Sequence, residues 1–583
     1  MSRRRTALVV LLGCLSLATT GCLGIPEDGP IVETQSEVDP NEQLGYYNNP
    51  RPPTPGDPPA EVVSGFLDAL TAIPVQTNTA EEYLTREAAA SWRPQRRTIT
   101  YADASLPEGS NRVTVELSGA HQVSGGGAWR GPLPPEQQLL TFSMERENGE
   151  WRIGQAPDAL VVPESWFGQA FRRVSVYFLD PSAQILVPEP VFLPRGDQLA
   201  TALVSRLVQG PSPRLRDDVE RTFIPTEADV DLSVAVSESG VADIPLTGGV
   251  PMPTEQDAAL MVAQFAWTLA QDSSVTSMRI TVDGEPVVLS EGSGTDTFPM
   301  DRGRFYDPTG GEATSQLFAL RDGRLVLGPP GDLTEAPGRM GSSELGISAI
   351  GVNLPGTRVA GVTRRGDRIL LADLADPDSE PLEVVQDGTR LLPPSWDFAD
   401  RMWVTNRPSG GAQLSVRDGG RTRPVTVPGV TGEEVAHLLV SRDGSRLVAV
   451  IDRRSDDRVV VSRIQYDRRG RVRGGTPARE ITWDDQSRLS VLDVGWSSPT
   501  SLTVLHRLSG DLSQVRTLQV DGSPAGLSSI SVTLQGGARR IVSSPRATDP
   551  LLVRTRAGLL DVLAGSDSVV PDSGDLTAAT YVG

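Results

Sequence analysis

Lysine is absent from this sequence of 583 residues, cysteine occurs twice and histidine three times. Without lysine there is no Schiff-base chemistry, and all 54 basic residues are arginine. Both cysteines, Cys14 and Cys22, stand near the N-terminus, so the rest of the chain can form no disulfide, thiolate zinc site or cysteine nucleophile. His121, His437 and His506 include no pair at metal-ligand spacing, and "VAHLLVS" and "LTVLHRL" place the last two in strand-like runs. A serine-hydrolase elbow is missing too, because "GSSELG" has Leu345 where its final glycine belongs. Positive charge is in deficit: the formal net charge is −20, which argues against a nucleic-acid partner, since phosphate binding needs a dense basic footprint. No internal apolar run reaches the roughly 20 residues of a membrane-spanning helix.

The first residues break this pattern. Arg3, Arg4 and Arg5 precede an apolar run from Thr6 to Ala18 and then small residues, the order of a secretory leader. Removing it takes three arginines away and lowers the formal charge from −20 to −23. Small residues followed by Cys22 in "LATTGC" resemble the bacterial lipobox, whose cysteine receives a diacylglycerol and becomes the new N-terminus. Cys22 is therefore the expected lipidation site. Cys14, after "LLG", fits locally but would leave a hydrophobic region of only Thr6 to Gly13. Thr19 stands where the motif usually has leucine, which leaves an ordinary signal-peptidase cut open as well. The lipobox resemblance implies residues 1–21 as signal peptide and acyl chains on Cys22, including an N-acyl group of the palmitate type, enough to hold a soluble body on a membrane. No other cofactor and no metal site is expected. Residues 22–58 are proline-rich without amphipathic period and read as an extended tether.

At roughly 100 to 200 residues per domain, the length leaves room for three or more cores. In the segment 59–165, Val63, Phe66, Leu67 and Leu70 have helical spacing, and Thr79 with Glu82 has the spacing of a capping box. "VTVEL", "LTFSM" and, after the Asn148-Gly149 turn, "EWRI" then read as antiparallel strands. Helices followed by such strands resemble the NTF2-like cone; a plain structural α+β module is the alternative. In 166–292, strands alternate with two helices: "VSVYF", the helix "DQLATALVSRLVQGP" ended by Gly210-Pro211, "GVADIPL", the helix "EQDAALMVAQFAWTLAQD", and a hairpin through Asp283-Gly284. "VYFLD", "LATALVSRLVQGPS" and "SMRITVDG" resemble a GerMN domain, a family that brings no catalytic set with it.

Residues 293–315, rich in Gly, Asp and Thr, read as a linker. From 316 to 583 helical periodicity disappears. Stretches beginning at 353, 395, 441, 495 and 544 each pair a turn with an apolar strand, at spacings of 42, 46, 54 and 49 residues. Those spacings predict an all-β propeller of five or six blades; an irregular two-sheet sandwich would give no reason for the self-similarity. Asp443 in "SRDGS" reads as a turn residue, and "DPDSE" at 376–380 lacks the glycine of a calcium loop and reads as a solvated loop. "DRRGRVRGG" places Arg468, Arg469, Arg471 and Arg473 at a hairpin tip, a candidate contact for anionic lipid or a carboxylate-rich partner, with a solubilising loop as the alternative.

The order of lipobox, tether, NTF2-like unit, GerMN segment and C-terminal propeller resembles, over essentially the whole chain, the LpqB lipoproteins of actinobacteria. That resemblance implies a non-catalytic protein on the extracytoplasmic face of the cell membrane that binds the extracytoplasmic part of a two-component sensor histidine kinase and modulates signalling in cell-wall homeostasis and division. The rival reading is a propeller-type envelope hydrolase acting on cell-wall glycan with paired carboxylates.

Overall fold

A computed structural model describes residues 48–230, 233–290, 296–453, 456–467, 469–481, 489–526, 529–565 and 568–583. Cys22, the leader, most of the tether and Arg468 lie outside the described residues.

The first α+β part opens with helix Pro59–Ala69, whose Pro59 sits in the first turn, where its missing N–H costs nothing. Val62, Val63, Phe66 and Ala69 face the core, and the Phe66 ring lies 5.5 Å from Trp92 and 6.0 Å from Phe142. The end of the segment read as tether is held here: Tyr83 donates to the Arg51 carbonyl at 2.9 Å, Asn48 to that of Thr71 at 2.9 Å, and Glu150 accepts from the Gly56 amide at 2.7 Å.

The Thr79–Glu82 capping box does not form. Helix Asn78–Glu81 is a single turn without a side-chain cap, and the cap that does form is Thr85, which accepts from the Ala88 amide at the start of helix Arg86–Ser91. The physical reason is competition: the Tyr83 carbonyl and Thr85 amide bond the backbone of Ile153 at 2.9 Å each, so pairing with the sheet interrupts the helix. Two sheets close this part. Strands Arg112–Ser118, Leu139–Glu147 and Glu150–Gln155 form the body of one, with Val113, Val115, Leu117, Leu140, Phe142 and Met144 turned inward. Asn148 and Gly149 take φ of 54° and 87°, as a two-residue hairpin turn requires.

The second α+β part begins with hairpin Phe171–Leu179 and Leu186–Pro194. Helix Leu199–Val208 follows and stops at Gly210, in the left-handed region with φ 73°, just before Pro211. Strands Val241–Thr247 and Ser277–Val282 run parallel, which demands a crossover, and helix Glu255–Leu269 supplies it, capped by Thr254. Between its two helices and the sheets this part buries Phe178, Leu203, Leu207, Met261, Phe265 and Ile280.

The segment read as a linker departs from that reading. Thr297–Pro299 adds an antiparallel strand to Ser277–Val282, with Met278 opposite Phe298, and Phe298 is buried. The Gly303 carbonyl then accepts from the Trp267 indole at 3.0 Å, and a Cβ on Gly303 would stand 2.5 Å from that of Ala263. Its glycines and aspartates serve turns of a fixed strap, which is why the segment shows no period.

The described residues of the C-terminal part form six sheets, the blades of a propeller. The strands that follow the repeated turns, Arg358–Thr363, Met402–Asn406, Arg446–Ile451, Ser501–Ser509 and Leu552–Arg554, are the second strands of blades two to six. The first blade shows no such repeat because its innermost strand comes from the far end of the chain: Leu576–Thr580 pairs antiparallel with Leu317–Arg321 and closes the ring.

Candidate functional site: a charged junction between the second part and the propeller

The turns that join inner to second strand carry polar side chains that cap their own backbone. Asn353 accepts from the Arg358 amide at 2.8 Å, Asp397 from the Ala399 amide at 3.1 Å, and Asp443 from the Ser445 amide at 2.8 Å. Asp443 is thus a turn residue, though a buried one, and it also accepts from the hydroxyls of Ser441 and Ser445. Asp397 receives Arg401 Nε at 2.8 Å and the Trp403 indole at 3.0 Å. Arg401 goes on to the Tyr466 hydroxyl and the Gly470 carbonyl, both at 3.1 Å.

This turn-bearing face meets the second part and the strap. Arg442 is buried in the middle: it donates to the Val582 carbonyl at 3.2 and 2.9 Å, to that of Thr309 at 3.0 Å and to the Ser544 hydroxyl at 3.2 Å. Arg546 reaches the carbonyls of Gly310 and Gly311. At the fifth blade Arg173 bonds Thr500 and Asp521.

The densest contact lies on the fourth blade. Arg446 and Arg463 are directly opposite each other on neighbouring antiparallel strands, where like charges repel. Glu189, from the second part's hairpin, resolves the conflict: it accepts from Arg446 at 2.6 Å and from Arg463, which also binds Glu220. The Pro188 carbonyl takes a further bond from Arg446 at 2.6 Å, and the Tyr466 amide donates to the Asp218 carbonyl at 2.8 Å. Burial raises the Glu189 carboxyl, but the guanidinium charges of Arg463 and Arg446 outweigh burial and hold it at about 2. Burial first, and then the charge of Glu189, push Glu220 well above the usual carboxylate range.

Glu189→Ala leaves two buried guanidinium groups without their shared carboxylate and should cost about 3–5 kcal/mol, the range for breaking a buried ion pair, read as a fall in unfolding midpoint in urea. The pH dependence has opposite signs for the two acids. Glu189, depressed, contributes stability that is present above its ordinary value and is lost as pH falls towards about 2. Glu220, raised, contributes stability that is present below its ordinary value and is lost as pH rises through its folded value. Melting temperature should therefore fall for the native protein as pH rises above the ordinary carboxylate range, and Glu220→Gln should flatten that slope. An unchanged slope in the variant would assign it to another group.

The sequence-expected residues lie elsewhere in part. Arg469, Arg471 and Arg473 are exposed, but the hairpin tip is not free. Asp467 accepts from the amides of Arg469 and Arg471 and from Arg471 Nε at 2.8 Å, and those bonds hold the Asp467 carboxyl down at about 2. Gly470 bonds Arg401, and a Cβ there would meet Ser182 of the second part at 3.4 Å. The tip is built into the junction, with Arg469 and Arg473 facing outward. His437 lies 3.1 Å from Asp493, whose other oxygen accepts from the Ile541 amide at 2.9 Å, so this acid ties together the inner strands of three successive blades. His506 contacts Gln514 at 3.0 Å. Asp376–Glu380 is a surface loop, with Glu380 paired to Arg339. Among the described residues no cluster of three or more His, Cys, Asp or Glu could hold a metal ion.

Three family models match the chain: the N-terminal domain of lipoprotein LpqB over residues 52–168, the sporulation and spore germination (Germane) domain over 175–288, and the LpqB beta-propeller domain over 323–562. The chain belongs to the LpqB lipoprotein family. Lipoprotein LpqB of Streptomyces avermitilis is 26% identical, over 97% of this chain and 96% of its own length. Lipoprotein LpqB of Thermobifida fusca is 27% identical, over 91% and 92%. Among solved structures, the first GerMN domain of GerM from Bacillus subtilis aligns with 97% of its length and 22% of this chain, at 21% identity and a TM-score of 0.19. TolB from Acinetobacter baumannii aligns over 57% of this chain and 86% of its own, at 13% identity and a TM-score of 0.30. The LpqB relatives carry the name lipoprotein, and among the described residues no helix is long and apolar enough to cross a membrane.

Proposed function

We propose that this LpqB-family protein is held on the extracytoplasmic face of the cell membrane by acyl chains on Cys22. There it acts without catalysis, binding the extracytoplasmic part of a sensor histidine kinase and modulating signalling in cell-wall homeostasis and division. The observation that carries the reading is the near end-to-end match to proteins named lipoprotein, on a chain whose leader ends in the lipobox-like "LATTGC". The junction chemistry supports it. The buried carboxylates Asp397, Asp443 and Asp493 are each committed to backbone amides, arginine or histidine. Arg442 occupies the middle of the turn-bearing face together with the C-terminus. A rigid body concentrated beside membrane neighbours is suited to binding them. The choice of a sensor kinase rests on the family resemblance.

Affinity capture of the tagged full chain from detergent-solubilised membranes tests this. A co-purifying membrane protein with an extracytoplasmic sensor domain and a kinase domain is the expected result. Hydrolysis of cell-wall glycan by the captured protein, with no kinase present, would favour the hydrolase.

A further inference from the structure

A cleft of about 430 Å³ opens between the first and second α+β parts, lined in part by Glu189, which also bonds the propeller's Arg446. Its lining includes Arg130 from the first part and Arg206 and Arg214 from the second. Arg206 is fixed in place, with Nε donating to the Gly126 carbonyl at 2.8 Å and Nη1 to that of Gly210 at 3.0 Å. Burial lowers the Arg206 guanidinium, Glu189 and Glu220 draw it back up, and the charge of Arg130 lowers it further, so the two arginines feel each other across the cleft. Arg479 of the propeller, lowered first by burial, also feels Arg130.

None of Arg130, Arg206 and Arg214 makes an ion pair among the described residues. The one carboxylate in the lining, Glu189, is already neutralised by Arg446 and Arg463. In a chain of formal charge −20 this concavity is therefore a local positive site, and its low-dielectric walls focus that charge. Guanidinium forks match oxyanions. The forks of Arg130 and Arg214 together with Nη2 of Arg206 suit a tetrahedral group with charge on several oxygens better than a planar carboxylate, which a single fork saturates. Beside them the half-buried Leu215 offers apolar surface, and the volume falls within the range for small-molecule sites.

We propose that this cleft binds a small phosphate ester, with its phosphate oxygens on Arg130, Arg206 and Arg214 and its body against Leu215. The inference stands apart from the kinase partner, since it uses a different surface and a different ligand.

Calorimetric titration of the full chain tests it, with sn-glycerol 3-phosphate, inorganic phosphate, acetate and phosphatidylglycerol vesicles as probes. The expected result is saturable binding of glycerol phosphate, tighter than inorganic phosphate and absent for acetate. The double variant Arg130→Gln/Arg214→Gln removes two exposed side chains that make no ion pair, and should weaken that binding at least tenfold while leaving the melting temperature unchanged. Vesicle binding that is lost in the same variant would identify a lipid headgroup as the source of the phosphate. No saturable binding of any phosphate probe, or binding that the double variant leaves intact, would overturn the proposal.

Discussion

Deleting Leu576–Gly583 is expected to unfold the propeller as a whole instead of trimming one edge. Leu576–Thr580 is the innermost strand of the first blade, so without it the ring stays open between the first and last blades. The segment is also a hub. Leu576 and Tyr581 pack with Val542, Leu552 and Leu559 of the sixth blade, and Val582 packs with Leu354 and Val359 of the second. The Gly583 amide bonds the Val352 carbonyl at 3.0 Å, and Val582 receives Arg442 of the fourth blade. Burial of three large apolar side chains is worth about 1.5–3 kcal/mol each, and Arg442 would lose its main acceptor inside the protein. The loss should reach about 5 kcal/mol or more, comparable to the entire stability of an ordinary domain. Near-ultraviolet circular dichroism should show the tertiary signal gone at room temperature. A truncated chain melting within a few degrees of the native one would show that the ring does not depend on this closure.

Cys22→Ala should move the protein from the membrane fraction to the soluble fraction almost completely and leave the precursor uncleaved. Among the described residues no helix is long and apolar enough to cross a membrane, and each buried acyl CH₂ contributes about 0.8 kcal/mol to the hold proposed for Cys22. Fractionation with metabolic acyl labelling checks it: label and membrane retention should disappear together. Cys14→Ala should change neither, because Cys14 reads as part of the hydrophobic region of the proposed leader. Normal retention of the Cys22 variant would remove the anchor from the account.

Local rules made much of the fold legible. Asn148-Gly149 and Asp283-Gly284 turn where two-residue hairpins must, and Gly210-Pro211 ends its helix. The five repeated stretches mark the second strands of blades two to six, because each turn needs a polar side chain to cap its backbone and each strand is a short, nearly continuous buried apolar run. What stayed hidden is long-range. The closing strand comes from the opposite end of the chain from its partner, so no repeat could reveal the first blade. Thr79 and Glu82 satisfy a capping rule, yet the backbone between Tyr83 and Thr85 gains more from pairing with Ile153.

The junction is the strongest case. Glu189 and Arg446 stand 257 positions apart, and either alone reads as a surface charge. Only Arg446 and Arg463 facing each other across a hairpin hinted that a carboxylate must arrive from elsewhere. The arginine-rich hairpin was visible as composition, but Asp467 and Arg401, which fold its tip back onto the body, are ordinary residues in sequence.

Direct titration of the purified full chain with the extracytoplasmic domain of a sensor kinase from the same membrane tests the central claim most closely. The account predicts saturable binding with defined stoichiometry and no turnover of cell-wall glycan in the same preparation. Absence of binding across the accessible concentration range, together with release of glycan fragments, would contradict it.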